Sequence, residues 1–144
     1  MLTESKTRIL AIDYGSKRIG IAISDPLRLF PSLSITILNN SHSLQEILRL
    51  IKDKNVAEIV LGIPEIRNNS NMQFVQKIMK FKTELELNTN LSVCLWDEQF
   101  TSKLAMNRIV DTIPKKSKRR DKSLIDAHSA AIILEEYLKN LNEK

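Results

Sequence analysis

The chain has 144 residues, 42% of them hydrophobic and 27% charged, which suits one ordered domain over 1–144 and argues against a disordered or low-complexity protein. Its apolar runs, such as Ile19 to Ile23 and Ile59 to Ile63, are far shorter than the ~18–20 residues of a membrane span, and Met1 to Arg8 lack the apolar core of a secretory signal. The net charge of +5 is concentrated in one stretch, where Lys115, Lys116, Lys118, Arg119, Arg120 and Lys122 surround Asp121. A cationic loop on a neutral body suits a polyanion, although a solvated surface loop has the same composition. The single cysteine, Cys94, excludes an internal disulfide, so a reducing, cytoplasmic setting is expected.

In chain order, Arg8 to Asp13 (RILAID) reads as a strand and Arg18 to Ser24 (RIGIAIS) as a second. The second alternates Ile19, Ile21 and Ile23 with small residues, and Tyr14-Gly15-Ser16-Lys17 between the two has hairpin length. Ser34 to Leu38 is a third strand. A helix over Ser43 to Lys54 has Leu44, Ile47, Leu48 and Ile51 on one face. Glu58 to Gly62 is a fourth strand, Met72 to Leu85 a second helix, and Leu91 to Asp97 a fifth strand. Thr101 or Ser102 caps a helix running to about Ile113. Pro114 ends it, the basic loop follows, and a last helix spans about Leu124 to Leu141. Three meandering strands followed by strand-helix crossovers predict an α/β fold, a mixed five-stranded sheet with helices on both faces.

Acidic residues stand where packing does not ask for them. Asp13 ends an apolar strand, Asp97 and Glu98 end another, and Asp126 lies in the first turn of the last helix, in line with Ala130, Ile133 and Tyr137. Clustered carboxylates repel one another and lose hydration, so they persist when a cation compensates. Oxygen ligands suit magnesium or manganese, and two such ions about 3.5–4 Å apart activate water and stabilise the leaving oxygen of a phosphodiester. Each acid also has a plain structural role open to it. Asp13 would stabilise a turn, Asp97 or Glu98 would cap the next helix, and Ser123-Leu124-Ile125-Asp126 is a capping-box pattern. His42 and His128 read as structural or surface residues, Cys94 as core, and Trp96 as packing at a strand end. The three glycines form no phosphate-binding loop of the GxxxxGK[ST] type.

Four segments together resemble the YqgF family: Ile9 to Pro26 (ILAIDYGSKRIGIAISDP), Val60 to Pro64 (VLGIP), Asp97 to Ala105 (DEQFTSKLA) and Asp126 to Leu138 (DAHSAAIILEEYL). They occur in the family's order and cover nearly the whole chain. The resemblance implies a ribonuclease H-like domain related to Holliday-junction resolvases, with acidic active-site positions at Asp13, Glu98 and Asp126. It also implies a nuclease of 5′-end maturation of pre-16S ribosomal RNA, or a resolvase of four-way DNA. The chain departs from the family at Glu65 to Ser70, where relatives often carry an Asn-Met-Asp-Gly-Ser loop, and at Gln99, where they usually carry Arg. DYGSKRIG also resembles the phosphate-binding turn of actin-like and sugar-kinase ATPases, whose two-lobed folds need a far longer chain.

The resulting expectation is a metal-dependent nuclease in which Asp13, Glu98 and Asp126 hold Mg2+ or Mn2+. Lys17, Arg18, Arg67, Lys115, Lys116, Lys118, Arg119 and Arg120 would position a nucleic-acid backbone. Pre-ribosomal RNA is the favoured partner and branched DNA the alternative. A non-catalytic RNA-binding module of ribosome assembly is the reading from a different class. No membrane partner is expected, and monomer and homodimer are both open.

Overall fold

The structure is a computed structural model that describes residues 6–64, 71–97 and 122–142, with only the backbone described for 122–127. Its elements are β1 (Arg8–Tyr14), β2 (Arg18–Ser24), β3 (Pro31–Leu38), α1 (Ser43–Asp53), β4 (Val56–Ile63), α2 (Met72–Thr89), β5 (Val93–Asp97) and α3 (Lys122–Asn142). The five strands form one sheet in the order β3-β2-β1-β4-β5. The β1–β2 and β2–β3 pairs are antiparallel, whereas β1–β4 and β4–β5 are parallel. The expected mixed sheet is therefore present, and the predicted helix over Thr101 to Ile113 lies outside the described residues.

Central β1 is apolar at successive positions because both of its faces are covered. Leu10 and Ile12 join Ile47 and Ile51 of α1 and Ile78, Phe81 and Leu85 of α2 in one core. Ile9 and Ala11 join Ala130, Ile133, Leu134 and Leu138 of α3 in a second core on the opposite face. The alternation of β2 has the same origin. Ile19, Ile21 and Ile23 fill the α1–α2 side and sit across from Ile37, Ile35 and Leu33 of β3. On the other side Ala22 packs in the α3 core, where small residues let the helix approach the sheet.

Several elements are longer or shorter than hydrophobic periodicity suggests. β3 starts three residues early, at Pro31, since an edge strand tolerates a missing N–H and the pairing shifts register between Ile23 and Ser24. α2 runs past its apolar stripe to Thr89, supported by a Lys82–Glu86 pair at 3.1 Å and closed by Asn90 in the left-handed conformation (φ 59°). β5 starts at Val93 because Asn90 serves that cap and the Leu91 N–H is taken by the Thr89 hydroxyl.

The β2–β3 connection is organised by Asp25. Its carboxylate accepts hydrogen bonds from the N–H groups of Leu27, Leu29 and Phe30 at 2.7–3.0 Å. Burial alone would raise its pKa, but these backbone donors outweigh burial and hold the carboxyl below the usual range. Beside it, Arg28 adopts φ 59° and reaches Thr7 and Glu58.

Candidate active site

The site is built from the carboxyl end of β1. Asp13 continues the Ile9–Ala11 face, so it lies on the α3 side of the sheet, half-exposed. The next residue, Tyr14, points the other way and packs its ring against Phe81 (4.9 Å) and Phe74 (6.1 Å), which anchors the strand end. Asp13 pairs with Gly20 of β2. On its other side Ile12 pairs with Leu61, so the β4 residue beside Asp13 is Gly62. The residues directly across from Asp13 on both adjacent strands are therefore glycines. The chain's third glycine, Gly15, opens the turn that follows, where a Cβ would lie 2.4 Å from the Arg18 carbonyl oxygen. All three glycines thus surround Asp13, although the sequence separates them by as many as 47 positions (Gly15 to Gly62).

Gly62 pairs in turn with Trp96 of β5. Trp96 belongs to the α3 core, donates its indole N–H to Glu136 at 3.2 Å and meets Tyr137 edge-on at 5.6 Å. Val93 and Leu95 pack on the other face. Strand alternation therefore sets Asp97 on the α1–α2 side, the face opposite that of Asp13. Cys94 shares the Trp96 face. It is exposed, which corrects the expectation of a core position, because α3 does not cover this part of the edge strand.

α3 covers one face of the sheet. Tyr137, near its carboxyl end, donates to Glu58 at 2.9 Å, and Glu58 is paired with Ile9 at the start of β1. Burial first, then the hydrogen bond to Glu58 and its charge, push the Tyr137 phenol up to about 12.

Of the expected site residues, Asp13, Lys17 and Arg18 fall together, on β1, on the turn after it and at the start of β2. Lys17 is exposed and Arg18 half-exposed. Asp126 lies on the described backbone of α3, and its side chain is outside the description. Glu98, Arg67, Lys115, Lys116, Lys118, Arg119 and Arg120 lie outside the described residues. Among the described residues no three His, Cys, Asp or Glu side chains group to hold a metal ion. Sequence reasoning missed the ring of glycines, whose signal was a glycine inside each of two apolar strands, and Asn39, which grips the turn carrying Lys17.

Residues 7–140 match the family model described as RuvX, Holliday junction resolvase. The chain belongs to the RuvX (YqgF) family. A relative from Porphyromonas gingivalis, named "Putative pre-16S rRNA nuclease", is 39% identical over 135 residues, covering 92% of this chain and 96% of the relative. One from Azobacteroides pseudotrichonymphae with the same name is 37% identical, covering 94% and 99%. Among solved structures, the fowlpox virus resolvase with Holliday junction DNA superposes with a TM-score of 0.60 at 14% identity, covering 94% of this chain and 99% of that one. Thermus thermophilus RuvC with a junction substrate gives 0.57 at 12% identity, covering 88% and 91%. At these identities the likeness establishes the fold, which is ribonuclease H-like.

Proposed function

We propose that this RuvX-family chain is a metal-dependent nuclease that hydrolyses phosphodiester bonds in the 5′-end maturation of pre-16S ribosomal RNA. One observation carries the reading: Asp13 stands half-exposed at the carboxyl end of the central strand, directly across from glycine on both neighbouring strands. The substrate follows from the names of relatives that match nearly end to end. A four-way DNA junction is the alternative, supported by the family's description.

Asp13, Glu98 and Asp126 are the proposed ligands, an all-oxygen set that fits Mg2+ or Mn2+. What supports Glu98 over Asp97 is the alternation of β5, which turns Asp97 away from Asp13. What supports Asp126 is its place in α3, the helix that covers the face of the sheet on which Asp13 lies. A bound ion would supply Lewis acidity and a nucleophilic water at neutral pH. The chain's own contribution is placement: Lys17 and Arg18 follow Asp13 directly and hold the phosphate backbone, with Arg67 and the Lys115–Arg120 loop extending the cationic track. The described helices include none long and apolar enough to cross a membrane.

The test is cleavage of a pre-16S RNA fragment and of a four-way DNA junction, with magnesium or manganese, by the full chain and four acid variants. Asp13→Asn, Glu98→Gln and Asp126→Asn should lose at least about a hundredfold in rate while remaining folded, the scale on which a transition-state contact is lost. Asp97→Asn should retain measurable activity. Undiminished cleavage by Asp13→Asn would remove the metal site. Binding without cleavage by the wild type, in either metal, would leave an RNA-binding assembly module instead.

A further inference from the structure

The turn that follows Asp13 is held from outside by one residue. Gly15, Ser16 and Lys17 connect β1 to β2, and Asn39, just past the end of β3, bonds to two of their carbonyls. The Asn39 side-chain amide donates to the Gly15 carbonyl at 2.8 Å, and its backbone N–H donates to the Lys17 carbonyl at 2.9 Å. Just after it, the buried Ser43 hydroxyl at the start of α1 donates to the Asn40 carbonyl at 2.8 Å and holds the chain that leaves Asn39. No ordinary residue replaces Gly15 there, given the 2.4 Å approach to the Arg18 carbonyl.

Peptide planarity converts these bonds into a direction. The carbonyl and N–H of a trans peptide point opposite ways, so a Gly15 carbonyl turned to Asn39 turns the Ser16 N–H away from it. Among the described residues that N–H and the Lys17 ammonium have no hydrogen-bond or ion-pair partner, and both residues are exposed. A backbone donor and a cation, held side by side three and four residues after a candidate catalytic acid, match a phosphate oxygen.

We propose that Asn39 is a positioning residue, which locks the β1–β2 turn so that Ser16 N–H and Lys17 take one phosphate of the substrate backbone. The inference rests on the nuclease reading and adds to it a phosphate seat whose shape is set by β3. A spacer role for Asn39 would give the same hydrogen bonds but no coupling to Lys17, and that difference is measurable.

The experiment is a double-mutant cycle on the full chain with Asn39→Ala, Lys17→Ala and both together. Kd is measured for a single-stranded pre-16S RNA fragment over a range of salt, beside steady-state cleavage. Asn39→Ala should raise Kd about three- to tenfold, the weight of roughly one phosphate contact, and flatten the log–log salt slope by up to about 0.7. KM should rise with kcat nearly unchanged, since the contact acts on bound substrate and transition state alike. In the Lys17→Ala background the Asn39 substitution should have little further effect. Additive losses, or a lower Tm with Kd unchanged, would overturn the proposal. Asn39→Ser, which keeps a donor, provides the same comparison should the alanine variant misfold, with partial recovery of Kd expected. A wild type that binds neither RNA nor junction DNA would sink the nuclease reading and this proposal with it. Additivity in a binding-competent enzyme sinks only the proposal.

Discussion

Asp25 concentrates the acceptor capacity of one carboxylate on three N–H groups within five residues, and it does so almost fully buried. Hydrogen bonds to a charged group are each worth more than neutral ones, so Asp25→Asn should cost about 2–3 kcal/mol, read as a shift in the urea midpoint at constant m. The pH dependence follows from the direction of its shift. The folded pKa lies below the ordinary aspartate value of 3.8, so the contribution is complete above that value and is lost as pH falls through the lower, folded pKa. Acid unfolding of the wild type should therefore start below about pH 4, and the Asn variant should lose that part of the transition. An acid limb identical in both proteins would mean another carboxylate governs it. The sequence shows Asp25 before Pro26 and signals a strand end, but the three amides it gathers are invisible until the loop closes. The same holds for the candidate site. Asp13 and Lys17 were legible because their chemistry is local to one motif, whereas the Gly20 and Gly62 flanks arise from pairing across strands.

At the scale of elements, α3 is fastened at its carboxyl end by side chains that β4 and β5 offer it. Tyr137 donates to Glu58, which also receives Arg28 at 3.2 Å, and Trp96 meets both Tyr137 and Glu136. The Arg28–Glu58 pair is solvent-accessible and worth little alone, so the fastening lies in the aromatic contact and the phenol bond. A phenol raised to about 12 is neutral through the physiological range, and its hydrogen bond persists until pH climbs well beyond 10. By the same linkage, its stability contribution is complete below the ordinary tyrosine pKa and fades as pH rises through 12. Ultraviolet titration should show a late phenolate step near pH 12 that Tyr137→Phe removes. A normal step for Tyr137 would place its hydroxyl in water. Element type and order were legible along the described chain because each strand and helix buries a periodic apolar set. Ends were less so, since polar devices such as the Asn90 cap and the Lys82–Glu86 pair set them, not hydrophobicity.

For the whole molecule, charge is distributed unevenly over a fold that is otherwise nearly neutral. The net +5 equals the sum over Lys115 to Lys122, six cations less Asp121. Replacing Lys115, Lys116, Lys118, Arg119 and Arg120 with Ser or Gln should weaken duplex binding regardless of sequence. With four of them on phosphates, the slope of log affinity against log salt should flatten by about 3–4. An unchanged slope would assign that stretch to another partner. Topology was legible to the level of a mixed sheet, because a hairpin and two crossovers follow from loop lengths. Strand order was not, since β1 acquires its central place only when β4 returns to pair beside it.

The glycine pair at Asp13 also sets a limit on how this protein can be hardened. Glycine in a strand interior surrenders more chain entropy on folding than alanine does, roughly 0.5–1 kcal/mol per position. On entropy alone, alanine at Gly20 or Gly62 would recover that cost, although both positions are buried and the methyl group would press on whatever covers them. In the proposed enzyme such a methyl would occupy the space beside the carboxylate. Robustness and turnover would then be in direct conflict at two atoms, and thermostable variants that stay active should find their gains elsewhere in the sheet.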